Sequence, residues 1–436
     1  MKIVVAGTGY VGLVTAVCLS EIGHSVTCID VDKIKIDTLN SGKSPIYEPG
    51  LEELMNKNKD RLTYTLDYKN AYKDADVIFI GVGTPEKQDG SANLKYVYTV
   101  AKQIAENINK DCVIVVKSTV PIGTNDKVEK LIKSNVKDNI RVEIVSNPEF
   151  LSQGTAVKDT LHAQRIVLGV PTKTAEEVMK KVYDGFNQPY VITDRTSAEM
   201  IKYASNDFLA LKISYINEIA NLCELVGANI EHVSKGMGMD KRIGDKFLNA
   251  GIGYGGSCFP KDTKALHWLA NFYDYEIKTI KAAIEVNSNQ KLKLIKKAKK
   301  YYETFENLNI AILGLSFKPN TDDLREAVSL TVIPLLLEEG ANIKVYDPVA
   351  ENNFKKVYPD EIKYCNSLEE TLENTDLCFI LTEWDEFKKM NQNMFVELMN
   401  KPIIIDGRNV FKLEDIMKQK VIYESIGRKN INNLSK

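Results

Sequence analysis

The sequence predicts an α/β fold with two Rossmann-like, doubly wound domains joined by a long central helix. In the first half, short apolar runs typical of buried strands alternate with amphipathic, Lys- and Glu-rich stretches. The strand pattern disappears between about residues 197 and 299, and the alternation resumes near Leu308. Strands that alternate with helices in this way indicate parallel sheets covered by helices.

The chain opens with a βαβ unit. Residues 2–6 (KIVVA) are a buried-strand run, 7–12 are glycine-rich, 13–22 have helical spacing, and 24–29 give a second strand. Four more strand-like runs end at Ile80, Val116, Val145 and Val170.

The middle of the chain begins with one long predicted helix over 198–226, which we interpret as a connecting or subunit-pairing element. The later segments NIAILG, NIKVYD and TDLCFI echo VVAG, CID and ADVIFI. The echo fits either an old duplication or two unrelated α/β units that obey the same rules. The predicted domains are 1–196, 197–299 and 300–436, and the polar tail after Ile426 is expected to fray.

Composition excludes several classes of protein. A chain of 436 residues is long enough for two or three domains. With 57 basic and 59 acidic side chains, it lacks the charge excess typical of nucleic-acid or membrane-surface binding. Seven cysteines without a CxxC pair predict reduced thiols and a cytoplasmic protein, and the four histidines form no metal-ligand pattern. No apolar run is long enough to span a membrane.

Gly7, Gly9 and Gly12 form a GxGxxG motif between a strand and a helix. In a dinucleotide site, the first glycine permits a tight turn, the second admits the pyrophosphate, and the third allows close packing of helix on strand. Asp30 ends the second strand, where a carboxylate accepts hydrogen bonds from the adenosine ribose and repels a 2′-phosphate. The motif therefore favours NAD over NADP, whereas the alternative is a glycine-rich turn beside a solvated aspartate. Lys35 lies either against the ribose or in solvent.

Two further turns follow strands at the edge of the sheet where ligands bind in this fold. They are GVGTP, with Gly83 and Thr84, and STVPIGT, with Thr119. Either segment is a ligand contact or simply a strand-ending turn.

The segment GIGYGGSCFPKD (251–262) surrounds Cys258 with four glycines. Glycines bring backbone amides close to a ligand, and nearby donors favour a thiolate. An isolated cysteine is usually a small buried apolar residue, but this loop favours a nucleophile. Oxidation of an alcohol to a carbonyl needs no thiol, whereas oxidation of an aldehyde to an acid does, because hydride leaves readily from a thiohemiacetal. The cofactor motif and the cysteine together predict a four-electron oxidation.

Lys202 and Asn206 lie four residues apart and so share a face of the long helix. They suit the stabilisation of a developing oxyanion, which is worth roughly 100- to 1,000-fold in rate per donor. Glu149, directly after a strand in NPEF, is either a general base for water or a surface carboxylate.

These segments together resemble one known family. GTGYVG, STVPIGT, NPEFL, GYGGSCFPKD and GLSFKPNTDDLRE occur in the order typical of the UDP-glucose 6-dehydrogenase family of nucleotide-sugar dehydrogenases, over about residues 1–410. The resemblance implies an N-terminal NAD-binding domain, a central helix used for dimerisation, a C-terminal domain that holds UDP, and a soluble homodimer or larger homo-oligomer.

The resemblance also implies catalytic roles. Cys258 would form first a thiohemiacetal and then a thioester, and Glu149 would be the base for hydrolysis of that thioester. Thr119 would position the water, and Asp262 would support Cys258 and Lys202 or an ordered water. Arg242 would reach the substrate of a neighbouring subunit.

The motifs and the resemblance assign two sets of binding residues. Cofactor contacts are predicted for Gly7, Gly9, Tyr10, Val11, Gly12, Asp30, Lys35, Gly83, Thr84, Thr119, Glu149, Lys261 and Arg325. Substrate contacts are predicted for Glu149, Phe150, Leu151, Lys202, Asn206, Arg242, Phe247, Tyr254, Gly255, Cys258, Lys318 and Arg408.

The predicted activity is the NAD-dependent oxidation of UDP-glucose to UDP-glucuronate. One departure is Gln153, which stands where many members of the family have glutamate. Three alternatives remain: a sibling enzyme for GDP-mannose or a UDP-N-acetylhexosamine such as UDP-N-acetylmannosamine, a two-electron hydroxyacid dehydrogenase that does not need Cys258, and a non-catalytic nucleotide-sugar sensor.

Overall fold

The computed structural model describes residues 1–434 and contains two sheets, in which most strand pairs are parallel. The chain divides into two compact units. The first comprises residues 1–205 and 268–273, and the second comprises 206–267 and the chain from 274 onward. Among the helices of residues 1–434, none has the length and apolar character that a bilayer crossing requires.

The first unit contains an eight-stranded sheet of order β3-β2-β1-β4-β5-β6-β7-β8. Its strands are β1 (Lys2–Ala6), β2 (Ser25–Ile29), β3 (Leu62–Thr65), β4 (Val77–Ile80), β5 (Cys112–Val116), β6 (Val142–Ser146), β7 (Ile166–Gly169) and β8 (Tyr190–Thr193). Its central strands β4 and β5 are buried along their whole length, because helices cover both faces of such a sheet. The sheet is parallel except where β7 runs antiparallel to β6.

Eight helices connect these strands, together with a 3-10 turn at Lys59–Arg61. They are α1 (Tyr10–Glu21), α2 (Lys33–Asn40), α3 (Leu51–Lys57), α4 (Tyr68–Lys73), α5 (Lys95–Asn107), α6 (Thr124–Lys133), α7 (Ala156–Leu161) and α8 (Lys173–Val182). Residues 12–20 of α1 are all buried, which explains why this helix is apolar on every side.

The segment that the sequence predicts to lack strands is helical. Its helices are α9 (Arg195–Val226), α10 (Ile230–Gly238), α11 (Phe259–Phe272), α12 (Lys278–Gln290) and α13 (Lys293–Ala298). Helix α9 has 32 residues and belongs to the first unit up to Ser205 and to the second from Asn206. It exposes large apolar side chains, namely Phe208, Tyr215, Leu222, Leu225 and Val226.

The second unit contains a seven-stranded sheet of order β11-β10-β9-β12-β13-β14-β15. The strands are β9 (Asn309–Leu313), β10 (Asn342–Tyr346), β11 (Lys363–Tyr364), β12 (Leu377–Ile380), β13 (Ile403–Asp406), β14 (Ile422–Glu424) and β15 (Ile431–Asn432). The remaining helices are α14 (Ser329–Glu338), α15 (Glu351–Phe354), α16 (Leu368–Leu372), α17 (Asp385–Lys389), α18 (Asn393–Leu398) and α19 (Leu413–Ile416). The first five strands repeat the 3-2-1-4-5 order of the first sheet, which is the order typical of dinucleotide-binding folds.

The expectation that the chain frays after Ile426 is wrong for residues 427–434, while 435 and 436 lie outside the described residues. Arg428 is only 3% exposed, and its guanidinium donates to Glu231 Oε1 at 2.8 Å and to Tyr423 Oη at 2.7 Å. Strand β15 then pairs antiparallel with β14. The polar composition suggests a frayed segment, but one buried arginine holds the segment in place through hydrogen bonds to residues elsewhere in the fold.

Arg428→Ala should lower the free energy of unfolding by about 3 kcal/mol, because removal of one member of a buried polar cluster leaves the others without a partner. Denaturant titration followed by circular dichroism measures the change. Lys429→Ala, at the exposed neighbouring position, is the matched control and should leave stability within about 0.5 kcal/mol of the unsubstituted protein. Equal stability of both variants would contradict the anchoring role of Arg428.

Candidate active site

The glycine motif of the first unit has the geometry of a dinucleotide-binding turn. Gly7 has φ +102°, and a Cβ on it would lie 2.8 Å from the carbonyl oxygen of Gly81. A Cβ on Gly12 would lie 2.0 Å from the carbonyl oxygen of Gly7, so helix α1 approaches β1 too closely for any side chain. A Cβ on Gly9 would meet nothing within 4 Å. The turn therefore needs Gly7 and Gly12 for its own packing, whereas Gly9 borders open space, and its predicted contact with the cofactor stays a prediction.

Asp30 lies at the end of β2 beside this turn. Its Oδ2 accepts from the backbone N of Thr8 at 2.9 Å and from Thr8 Oγ1 at 2.6 Å, and its Oδ1 accepts from the N of Asp32 at 3.0 Å. Partial burial opposes ionisation, but the hydrogen bonds from Thr8 and Asp32 prevail and lower the pKa of Asp30. The residue is therefore a negatively charged side chain beside the glycine turn, and its role as the acceptor for a ribose diol stays a prediction.

Hydrogen bonds join the turn after β4 to the turn after β5. Thr84 Oγ1 donates to the carbonyl oxygen of Thr119 at 2.9 Å, and Ser118 Oγ donates to that of Val82 at 2.6 Å. Glu199 on α9, which the sequence analysis missed, accepts from the backbone N of Asn125 at 2.8 Å. The buried Glu199 carboxylate thus fixes the segment that carries Thr119 to the helix that carries Lys202.

Glu149 and Lys202 form a buried ion pair in the first unit. Lys202 Nζ lies 2.9 Å from Glu149 Oε1, and the two side chains are 3% and 5% exposed. Glu149 Oε2 accepts from the backbone N of Leu151 at 2.7 Å, so both oxygens are oriented. The Phe150 ring lies 5.4 Å from Lys202 Nζ. The alternative of a surface carboxylate for Glu149 is therefore wrong, since the residue is buried against a lysine.

Three polar side chains that the sequence analysis also missed lie near this pair. Lys117 is buried at the end of β5, and its Nζ donates to Asn147 Oδ1 at 3.1 Å. Tyr183 Oη donates to the same oxygen. Burial lowers the pKa of Lys117 to about 8, with Glu149 opposing and Lys202 reinforcing that shift.

In the second unit, Cys258 immediately precedes helix α11. The N of Asp262 donates to the carbonyl oxygen of Cys258 at 2.8 Å, so Cys258 occupies the N-cap position of a 14-residue helix. The partial positive charge of a helix N-terminus favours an anion there. Cys258 is partly exposed, unlike the six other cysteines, and no disulfide joins any of the seven, all of which the structure describes.

The glycines of the cysteine loop are required by packing within the second unit. A Cβ on Gly255 would lie 2.5 Å from the carbonyl oxygen of Glu326, and one on Gly256 would lie 2.7 Å from the Phe317 ring. The N of Gly256 also donates to the carbonyl oxygen of Arg325 at 2.8 Å. The loop and the FKPNTDDLRE segment, which the sequence shows as separate motifs, therefore form one packed structure.

Buried amides and one arginine hold the same loop. Asn287 accepts from the N of Tyr254 at 2.7 Å and donates to its carbonyl oxygen at 3.0 Å, and Gln290 Nε2 donates to the carbonyl oxygen of Gly251 at 2.7 Å. Arg408 donates to the carbonyl oxygens of Gly253, Phe317 and Leu381. Arg408 thus braces the loop, while its predicted contact with substrate stays a prediction.

Asp262 connects the loop to α9. Its Oδ2 accepts from Asn206 Nδ2 at 2.7 Å, and its Oδ1 accepts from Lys261 Nζ. Asp207, the next residue on α9, is 1% exposed, and neither of its carboxylate oxygens has a hydrogen-bond partner within residues 1–434. Burial raises the pKa of Asp207 to about 8, Asp262 raises it further, and Lys261 opposes.

The remaining predicted residues lie in varied surroundings. Phe247 and Tyr254 both make edge contacts with Phe259. The exposed Arg242 pairs with Asp240, Arg325 pairs with Asp323, and Lys318 lies over the Phe317 ring. In the first unit, Lys35 is partly buried at the start of α2, and Tyr10 Oη donates to the carbonyl oxygen of Tyr47. Val11 lies in the first turn of α1, and Gly83 is exposed in the turn after β4.

Comparison with known proteins agrees with this arrangement along most of the chain. The model of the UDP-glucose/GDP-mannose dehydrogenase family matches in three parts: its NAD binding domain at residues 1–187, its central domain at 196–289 and its UDP binding domain at 311–413. The chain belongs to the UDP-glucose/GDP-mannose dehydrogenase family. NAD is accordingly the cofactor of the first unit, which fits the open space at Gly9 and the anionic Asp30.

Individual relatives match this chain over nearly its full length. The UDP-glucose 6-dehydrogenase YwqF of Bacillus subtilis is 49% identical over 99% of this chain and 98% of its own. The solved UDP-glucose dehydrogenase of Pyrobaculum islandicum is 35% identical and superposes with a TM-score of 0.92, covering 98% of both chains. The solved UDP-D-ManNAc dehydrogenase of Pyrococcus horikoshii is 27% identical, with a TM-score of 0.86, and covers 98% of this chain and 99% of its own.

Gly9→Ala and Gly12→Ala should separate binding from folding. Gly9→Ala should fold with stability close to that of the unsubstituted protein but weaken NAD binding at least about tenfold, since the methyl group enters the open space in which the pyrophosphate is predicted to bind. Gly12→Ala should lower the free energy of unfolding by more than about 2 kcal/mol, because its Cβ meets backbone. Thermal unfolding and NAD titration measure the two effects, and the reverse assignment would contradict this account of the turn.

Asp207→Asn should flatten the pH dependence of stability. The folded protein retains a proton on Asp207 up to about pH 8, whereas the unfolded chain releases it near the ordinary value of 3.8. The contribution of Asp207 to the free energy of unfolding therefore falls as pH rises from 3.8 to about 8, by about 1.4 kcal/mol per pH unit at most. Above about pH 8 this contribution no longer changes. The asparagine cannot ionise, so its advantage over aspartate should grow between pH 5 and pH 8.

Denaturant titrations at several pH values test this prediction. The exposed Asp60→Asn is the matched control and should follow the unsubstituted protein at every pH. Parallel stability curves for Asp207→Asn and the unsubstituted protein would show that Asp207 is ionised in the folded state.

Proposed function

We propose that this protein is an NAD-dependent UDP-glucose 6-dehydrogenase that oxidises UDP-glucose to UDP-glucuronate with two molecules of NAD and one of water. The assignment of UDP-glucose as the substrate rests on the 49% identity, over nearly the whole chain, to a UDP-glucose 6-dehydrogenase. The assignment of a covalent mechanism rests on the partly exposed Cys258 at the N-terminus of α11, whose carbonyl oxygen accepts from the backbone N of the hydrogen-bonded Asp262.

Bound NAD supplies the acceptor for the hydride that leaves C6 in each of the two oxidations. The residues that hold it are those of the glycine turn, with Asp30 as the acceptor for the ribose hydroxyls. The exposed Gly83, together with Thr84 and Thr119, is available at the adjacent strand ends, where this fold binds ligands.

Cys258 provides the covalent step. Its sulfur adds to the aldehyde carbon to form a thiohemiacetal, and loss of hydride from that carbon leaves a thioester. The helix N-terminus favours the thiolate that attacks and later leaves. The thioester retains the carbon in an activated form until water arrives.

Lys202 and Asn206 act on the oxygen of C6. They occupy successive turns on one face of α9, so an ammonium and an amide donor can converge on an oxyanion. Asp262 orients Asn206 through the 2.7 Å hydrogen bond. These groups stabilise the charge that develops in both tetrahedral species.

Glu149 accepts the proton of the hydrolytic water. Water adds to the thioester carbonyl, the C–S bond breaks, and the thiolate of Cys258 leaves. Thr119 is proposed to position that water. The orientation of both Glu149 oxygens, by Lys202 and by the N of Leu151, suits a base that must accept from one direction.

The second unit is proposed to hold the UDP portion, with Phe247, Tyr254, Gly255, Lys318 and Arg408 as contacts. Phe150 and Leu151 are proposed as contacts of the sugar. The domain limits 1–196, 197–299 and 300–436 belong to the same proposal, as do the cofactor contacts of Tyr10, Val11, Lys35, Lys261 and Arg325. The exposed apolar residues of α9 support pairing of two subunits through that helix, and Arg242 is proposed to reach the partner's substrate.

A limiting amount of UDP-glucose should yield two NADH per sugar. Absorbance followed to completion measures this ratio, with GDP-mannose and UDP-N-acetylmannosamine in parallel. One NADH per sugar would contradict the thioester mechanism, and two NADH from a sibling sugar but none from UDP-glucose would change the substrate and retain the mechanism.

Cys258→Ala should lower turnover at least about 1,000-fold, since loss of a catalytic nucleophile costs several orders of magnitude. Cys112→Ala, at a buried cysteine of β5, is the matched control and should retain turnover within about twofold. Full turnover by Cys258→Ala would favour a two-electron dehydrogenase.

A further inference from the structure

Lys117 lies at the edge of the first sheet that carries Glu149. It directly follows β5, and Asn147 directly follows the neighbouring parallel strand β6, with Val116 paired to Ser146. The N of Asn147 also donates to the carbonyl oxygen of Val116 at 3.0 Å. Because the carboxyl ends of parallel strands meet at one edge, Lys117 and the segment that carries Asn147 and Glu149 lie at the same edge of the sheet.

The Lys117 ammonium is held by neutral partners. Nζ donates to Asn147 Oδ1 at 3.1 Å and lies 3.4 Å from Tyr183 Oη, while Asn147 Nδ2 donates to the carbonyl oxygen of Val167 at 2.8 Å. In the part of the chain that the structure describes, no carboxylate lies within 4 Å of it. A buried ammonium without a direct counterion destabilises the fold, so a structural role alone does not account for a lysine here.

The charged groups that act on Lys117 are those of the proposed hydrolytic site. Glu149 favours its protonated form and Lys202 disfavours it. Cys18 on α1 also faces it, but burial raises the pKa of that thiol to about 12 and keeps it neutral. Burial likewise raises the pKa of Tyr183, so its hydroxyl stays neutral. Among the described residues that act on Lys117, Glu149 is therefore the carboxylate that favours its protonated form.

We propose that Lys117 is a positioning residue for thioester hydrolysis, a second positive charge that keeps Glu149 oriented and ready to accept a proton from water. The inference rests on the proposed function. Lys202 forms a buried ion pair with Glu149, and the same ammonium is needed by the oxyanion when water adds to the thioester. Lys117 supplies the charge that remains beside Glu149 at that moment.

The step balances without any further reactant. The water oxygen forms a bond to the acyl carbon, one water proton passes to Glu149, and the C–S electron pair leaves on Cys258. The other water proton stays on the new carboxyl group until that group ionises. Both oxidations precede this step, so loss of Lys117 should slow turnover after two NADH have formed.

Lys117→Met should therefore show a rapid burst of two NADH per subunit, followed by steady turnover about 10- to 100-fold slower than that of the unsubstituted enzyme. Intact-mass spectrometry of the acid-quenched reaction should show the uronyl adduct on the enzyme. Lys117→Gln is the second neutral variant, and Lys117→Arg, which restores the charge, should reduce the adduct. Turnover within twofold of the unsubstituted enzyme and no adduct in a neutral variant would overturn the proposal.

Lys297→Met is the matched control, because Lys297 is also a buried lysine but pairs with Glu224 and Glu424 in the second unit. It should lower thermal stability without accumulating adduct. Adduct in Lys297→Met equal to that in Lys117→Met would assign the effect to general destabilisation and overturn the proposal.

The unsubstituted enzyme provides a test that requires no variant. Lys117 loses its proton as pH rises through about 8, so the fraction of enzyme carrying the adduct at steady state should increase between pH 7 and pH 9. Hydroxide alone would produce the opposite trend, because it accelerates thioester hydrolysis. A falling adduct fraction would overturn the inference but leave the proposed function intact, whereas absence of oxidation at every pH would remove the function itself.

Discussion

The buried ion pair between Glu149 and Lys202 is the interaction on which the proposed chemistry of this protein depends. Removing two charges from water is costly, and the cost is offset only when each charge is hydrogen-bonded in good geometry. Here the carboxylate is held by Lys202 at 2.9 Å and by the backbone N of Leu151 at 2.7 Å. The segment after β6 and the first turns of α9 are thereby fixed to each other. The same charges are then available to a reaction that passes through two tetrahedral oxyanions.

Close packing of backbone imposes the second constraint. Gly7 and Gly12 are required because β1, α1 and the end of β4 approach within the radius of a methyl group, and Gly255 and Gly256 are required for the same reason against the 317–326 segment. Glycine thus has two different uses in this chain. In most of these positions it permits the close approach of other atoms, whereas at Gly9 it borders open space, where the cofactor is proposed to bind.

The sequence contains enough local information to predict the strand and helix alternation, the strand-free middle segment, the cofactor turn and the cysteine loop, since each depends on neighbours a few residues apart. The missed residues depend on distant partners. Lys117 and Asn147 are 30 residues apart, Asn125 and Glu199 are 74 apart, and Arg428 and Glu231 are 197 apart. No periodicity or motif connects such positions, so an interior lysine appears as a strand-end cation and a buried arginine as part of a polar tail. Asp207 was missed because its importance comes from the lack of a donor among residues 1–434, which only the folded chain reveals.

The most direct test of the central claim is to identify the residue that carries the sugar during turnover. The enzyme is quenched in acid a few milliseconds after mixing with UDP-glucose and NAD, digested, and mapped by tandem mass spectrometry. The account predicts a uronyl group on the peptide that contains Cys258. Formation of two NADH per sugar with no acyl group on Cys258, or with the group on another residue, would contradict it.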